Sequence, residues 1–139
     1  MIYAVIDTNV LVSSLLTHHL DAATAQVVEA VMKKLIRPLY SEEILAEYAE
    51  VLHRPKFHFT PEVVDRYIRF IQEEGLRAER VLSDDFFPDA TDVVFYEVAL
   101  SKDDAYLVTG NIRHFPKNPI VVTPVEMLEI LYRTTKHTL

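Results

Sequence analysis

The chain has no cysteine and only two glycines, Gly75 and Gly110. The first absence excludes disulfides and thiolate metal sites, and with them any sign of an oxidising compartment. The second excludes a glycine-rich phosphate loop and the dinucleotide-binding fingerprint. Positive charge is also short: 14 Lys and Arg stand against 21 Asp and Glu, a net charge of −7. Bulk electrostatics therefore argue against a high-affinity nucleic-acid binder. They leave room for an enzyme acting on nucleic acid, whose acids gather round a metal while local basic patches hold phosphate. Apolar runs long enough to span a membrane are missing too, and Asp7 interrupts the N-terminal run too early for a signal-like core. A cytoplasmic protein is the expectation.

What is present fits one domain over residues 1–139, with half its residues apolar and a quarter charged. The apolar, β-prone stretch IYAVI (2–6) reads as a buried parallel strand. A helix is expected from Thr8 to Leu16, broken by THHLDAAT. Asp21 is then placed to cap a helix with Val27, Val28, Val31, Met32 and Leu35 at helical spacing. IRPLY reads as a strand. Ser41 caps EEILAEYAEVLH, whose apolar face is Ile44, Leu45, Tyr48 and Leu52. Thr60-Pro61 opens a helix that Gly75 ends. AERVL (78–82) reads as a strand and SDDFFPDAT as a loop. A helix follows over 92–101, then the strand AYLVT, a turn through GNIRHFPKN and the strand PIVVT. TPVE has the form of a capping box with proline at the first helical position, opening a last helix to about Arg133. Strands alternating with helices predict an α/β fold with a mainly parallel sheet.

In such sheets, sites form beyond the carboxyl ends of the strands. Asp7 ends the first strand, Asn111 follows AYLVT, and Asp92 opens the helix after AERVL. Glu47 borders the apolar face of its own helix. Carboxylates brought within ~4–6 Å raise one another's pKa, and a hard divalent cation removes that cost. Oxygen-only donors favour Mg²⁺ or Mn²⁺. Such an ion activates water for in-line attack on a phosphodiester. Thr8 and Asn9 are placed to orient Asp7 by hydrogen bonds. Each residue also has a structural reading. Asp7 could cap the first helix, Asp89 and Asp92 have cap and third-turn-position spacing, Glu47 could face solvent, and Asn111 could be a turn residue. Two basic clusters, His53, Arg54, Lys56 and His58, then Arg113, His114 and Lys117, have Phe57, Phe59 and Phe115 among them. Cations interleaved with aromatics suit single-stranded RNA. Core packing is the alternative for those rings.

VIDTNVLVSSLL, YSEEILAEYAEVLHRPKF, PDATDVVFYEVAL and AYLVTGNIRHFP, in this order and spacing, resemble the PIN-domain family, and within it the bacterial toxin components of toxin–antitoxin systems. The resemblance runs from Ile2 to about Leu131. It implies a three-layer α/β/α sandwich on a parallel sheet of about five strands, and a metal-dependent endoribonuclease acting on single-stranded or loop RNA. It also implies an antitoxin protein as partner and a homodimer. On matching motifs Asp7, Glu47 and Asp92 are the metal-binding acids, with Asp89 in support and Thr109 as the hydroxyl near the metal-bound water. The family often has a further acid where this chain has Asn111, which puts a second metal in doubt. Arg54, Lys56, Arg113 and Lys117 are the expected RNA contacts. Two other readings compete. A receiver-type phosphoacceptor would want adjacent acids after the first strand and a lysine after the last, and neither is present. An inactive PIN-like interaction module would keep the fold and bind antitoxin or RNA.

Overall fold

In a computed structural model, which describes residues 1–137 and side chains to residue 134, five parallel strands form one sheet in the order β3-β2-β1-β4-β5. The last two residues of the expected domain lie outside the described ones. The strands are β1 (Ile2–Ile6), β2 (Ile36–Tyr40), β3 (Leu76–Arg77), β4 (Ala105–Val108) and β5 (Val121–Val122). Between and after them run α1 (Thr8–Leu16), α2 (Ala23–Met32), α3 (Glu42–Leu52), α4 (Pro61–Glu74), α5 (Ala90–Leu100) and α6 (Pro124–His137). Successive residues Ala4, Val5 and Ile6 of the central strand are all buried, so helices cover both faces of the sheet. This is the expected α/β/α sandwich.

The helix ends follow side-chain chemistry. Ser41 Oγ accepts from the Ile44 N–H at 3.2 Å and starts α3. Thr123 and Glu126 form the reciprocal capping box of α6, with bonds of 2.9 and 3.1 Å. The apolar face foreseen for α3 is buried in full: Ile44, Leu45, Tyr48 and Leu52. Scarcity of glycine shows in the turns. Lys34, His58 and Asp104 hold the left-handed positions at φ of 65°, 56° and 71°, and neither glycine does.

Gly75 is needed for closeness. A Cβ there would lie 2.4 Å from Ile71 O and 2.6 Å from Pro38 O. Its neighbour across the gap, Pro38, has no N–H, yet it sits in a strand with partners on both sides. At that level β3 has not begun. Arg37 instead reaches over, donating to the Glu74 and Gly75 carbonyls at 3.3 Å each.

Three expectations are corrected. Asp21 does not cap α2. The N-cap is Ala22, and the Gln26 side chain donates back to the Asp21 carbonyl at 2.8 Å, after a turn has already used up residues 19–22. Leu35 is 49% exposed, because α2 stops at Met32 and the left-handed Lys34 turns the chain before it. The third strand is Leu76–Arg77 rather than 78–82. Ala78 N–H still donates to Tyr40 O at 2.8 Å, but β2 ends there, and the following residues have no strand left to pair with.

Candidate functional site

Ligand sites in parallel sheets lie where successive crossovers leave in opposite directions. Here that point is the gap between β1 and β4, since β1 connects outward to β2 while β3 returns across the sheet to β4. The Asp7 N–H donates to Val108 O at 2.9 Å, locking the residue after β1 to the end of β4. Thr109, the residue after β4, is fully buried, and its hydroxyl donates to Asp7 Oδ2 at 2.7 Å. The Asn111 N–H donates to Thr109 Oγ1 at 3.0 Å, so the chain after β4 folds over this hydroxyl.

Asp7 is buried, and burial raises its carboxyl above the ordinary value. The Thr109 hydrogen bond, the Asn9 and Thr8 amides and His114 pull it back in part. It occupies the N-cap position of α1, where its side chain makes no cap hydrogen bond of good geometry and the first-turn amides only temper its charge.

The other acids arrive on helices. Asp92 lies in the first turn of α5, which packs on β1 and β4. Its carboxyl is raised to about 6 by burial and by the charges of Asp7 and Asp89, with His114 opposing and Glu47 adding. His114 Nδ1 stands 3.8 Å from Asp92 Oδ2. Glu47 on α3 is half-buried and also raised, first by burial and then by Glu50, with Arg54 opposing and Asp89 and Asp7 adding. Asp7, Glu47 and Asp92 thus share one electrostatic field, although they come from three separate elements. Among the described residues no three acids or histidines are drawn close enough to form a ready ligand set.

The supporting residues divide. Asp89 is the N-cap of α5: its Oδ1 accepts from the Thr91 N–H at 3.0 Å and the Thr91 hydroxyl at 2.9 Å, which lowers its pKa. Thr8 Oγ1 and Asn9 Oδ1 are buried without a hydrogen-bond partner. The hydrogen bonds expected from Thr8 and Asn9 to Asp7 come from their backbone amides rather than these side-chain oxygens, and the side-chain bond is that of Thr109. Asn111 is exposed and enters the site only through its backbone.

The basic clusters are less free than their sequence suggests. Arg54 is forked onto Glu50 at 3.1 and 2.7 Å, and His53 Nε2 lies 3.0 Å from Asp65 Oδ1. Acids absent from the local sequence are supplied by the previous helical turn and by α4. Lys56 lies over the Phe57 ring at 5.1 Å, and Phe57 stacks on Phe59 with centroids 5.4 Å apart. Arg113 and Lys117 are exposed and line one shallow cavity of about 270 Å³. Phe115 belongs to the core and packs edge-on against Phe87, so it offers no face to a base.

Sequence reasoning missed Tyr48 as a site element. Its buried hydroxyl donates to Ile6 O and pins α3, with Glu47, against the end of β1. It also missed Glu97, a buried acid of α5 bonded to Arg80. A lone glutamate inside the apolar run VVFYEVAL was the available signal. No helix among the described residues is long and apolar enough to cross a membrane.

No curated protein sequence and no solved structure matches the chain. A family model described as PIN domain matches residues 3–113, which span β1, the acidic crevice and Asn111. The chain belongs to the PIN-domain family, whose members are generally nucleases.

Proposed function

We propose that the protein is a metal-dependent endoribonuclease that hydrolyses RNA phosphodiesters at the β1/β4 crevice, with Mg²⁺ or Mn²⁺ as cofactor. The observation that carries this reading is three acids, Asp7, Glu47 and Asp92, delivered to one sheet edge by three elements, each raised first by burial, with the charge of Asp7 raising the other two further. A fold that gathers such charges loses stability unless a cation joins them. Arg54, the arginine acting on Glu47, is already committed to Glu50, which leaves the charge for a diffusible ion.

The donor set fits a hard divalent cation: carboxylate oxygens from Asp7, Asp92 and Glu47, with no sulfur. Two buried oxygens without partners, Thr8 Oγ1 and Asn9 Oδ1, adjoin Asp7 in the chain and are free to accept from water. When bound, the ion supplies an activated water and offsets charge at the attacked phosphorus. The chain supplies the rest. Thr109 holds Asp7 Oδ2 from across the sheet. Tyr48 fixes the helix of Glu47, and Asp89 fixes the first turn that presents Asp92. His114 faces Asp92 from the loop after β4 and lends positive charge when protonated. Arg113 and Lys117, with Lys56 on the α3–α4 connector, are the phosphate contacts of this reading, and Arg54 joins them only by exchanging its bonds to Glu50. A role as the toxin of a toxin–antitoxin pair, with a protein antitoxin and a homodimeric state, belongs to the same proposal and draws on the likeness of the four sequence motifs.

An exposed, neutral Asn111 favours the second reading, a PIN domain that binds without cleaving. Incubation of single-stranded RNA with Mn²⁺ separates the two. Cleavage by the wild type that disappears in Asp7→Ala supports the nuclease; equal residual cleavage in both removes it.

A further inference from the structure

Glu97 is 2% exposed and takes no part in the acidic crevice. Burying a carboxylate is costly unless its oxygens are fully engaged. Those of Glu97 are: Oε1 accepts from Arg80 Nε at 2.7 Å and Nη2 at 2.6 Å, and Oε2 accepts from the Ser83 N–H at 2.5 Å. The Val81 N–H donates to the Glu97 carbonyl at 3.1 Å. The segment that leaves the sheet after β3 is therefore fastened to α5. Arg80 does not stop there. Its Nη1 donates to Glu43 Oε2 on α3 at 3.0 Å.

The two ends of this bridge lie on the two acid-bearing helices. Glu43 is one turn before Glu47 on α3, and Glu97 follows Asp92 on α5. Asp7, Glu47 and Asp92 repel one another, and direct packing between the helices includes the tilted Tyr48–Phe95 ring pair at 6.1 Å. A forked guanidinium resists separation better than such a contact, because its bonds are directional and charge-assisted. We propose that Arg80 is a positioning residue. Seated on buried Glu97 and bridging to Glu43, it sets the spacing between the helix of Glu47 and the helix of Asp92, and so the affinity of the crevice for a divalent cation. This rests on the metal-dependent reading above.

Mn²⁺ titration by calorimetry, at a temperature where every variant is folded, tests it alongside melting curves. Arg80→Lys keeps the charge and loses the fork. Glu43→Ala cuts only the exposed end of the bridge. Both are expected to weaken Mn²⁺ binding about tenfold, the lower end of what outer-shell changes cost metal sites. Glu42→Ala makes the same charge change on the same helical turn and is expected to leave the affinity alone. Weaker binding in Glu43→Ala with an unchanged melting temperature supports positioning, and it decides the matter if Arg80→Lys fails to fold. Undiminished binding in Glu43→Ala, or an equal loss in Glu42→Ala, overturns it while the metal reading stands. A wild type that binds no Mn²⁺ overturns both.

Discussion

Replacing Asp92 by asparagine should stabilise the metal-free protein, and by an amount that depends on pH. Its carboxyl is raised from 3.8 to about 6 on folding. A carboxyl with a higher pKa in the fold favours the fold while it is protonated. That contribution is complete below 3.8 and is lost as the pH rises through about 6. A shift of about two units corresponds to roughly 3 kcal/mol, since each unit is ~1.4 kcal/mol. The side chain is partly exposed, and solvent screening makes this figure an upper bound. Asparagine has the shape of the protonated acid and no charge for Asp7 and Asp89 to repel. In a chelator at neutral pH, Asp92→Asn should therefore be more stable than the wild type by up to about 3 kcal/mol, and its melting temperature higher by some 5–10 °C. Near pH 4 the gap should close. Saturating Mn²⁺ should narrow or reverse it at neutral pH, because an ion at one hundred times its dissociation constant adds ~2.7 kcal/mol to the protein that binds it. Thermal melts over this pH range, with chelator and with Mn²⁺, read all three effects. A variant less stable than the wild type in chelator at neutral pH, or a gap indifferent to acid, would refute the reasoning.

Thr109→Val removes the 2.7 Å bond to buried Asp7 and the acceptor of the Asn111 N–H, so urea melts at neutral pH should show a loss of about 2 kcal/mol; an unchanged midpoint would mean the hydroxyl does not hold the acid. Gly75→Ala should cost at least ~2 kcal/mol in the same assay, because the new methyl meets two carbonyl oxygens at 2.4 and 2.6 Å and the backbone must shift. A wild-type melting curve would show that α4 and β2 separate freely. Fluorescence anisotropy of a labelled single-stranded RNA should rise with protein far more readily in Mn²⁺ than in chelator; equal affinity in both would place RNA away from the acids.

Periodicity and caps made most of the fold legible. Ser41, the Thr123–Glu126 box and the apolar run before Asp7 each act within a few residues, so local sequence carries them. Leu76–Arg77 escaped because a strand of two residues is defined by its partner, β2, and not by its own pattern. Motif spacing points to Asp7, Glu47 and Asp92 together, and in the structure the charge of Asp7 reaches both of the other two. What spacing could not supply is tertiary pairing. Arg54 and His53 stand in the sequence as free cations, and in the fold they pair with Glu50 and Asp65. Thr8 and Asn9 act on Asp7 only through their backbone amides, whereas the side-chain bond to it comes from Thr109, just after β4.

The electrostatics also dictate an order of binding. A chain of net charge −7 presents its most concentrated buried acids at the very edge where RNA would be cut. Phosphodiester and carboxylate repel each other, and that repulsion is strongest in a partly buried crevice where water screens poorly. Arg54, at the margin of the cluster, has its charge largely spent on Glu50, and Lys56 and Lys117 lie on connectors beyond it. Exposed lysines can draw RNA to the surface, but they do not change the sign of the crevice itself. In the proposed reading a cation seated among Asp7, Glu47 and Asp92 does that, adding to whatever charge His114 lends beside Asp92. On the proposed metal-dependent reading, the raised carboxyls of the free protein and a metal requirement for RNA binding follow from one charge arrangement, and a substitution that relieves the first is expected to weaken the second.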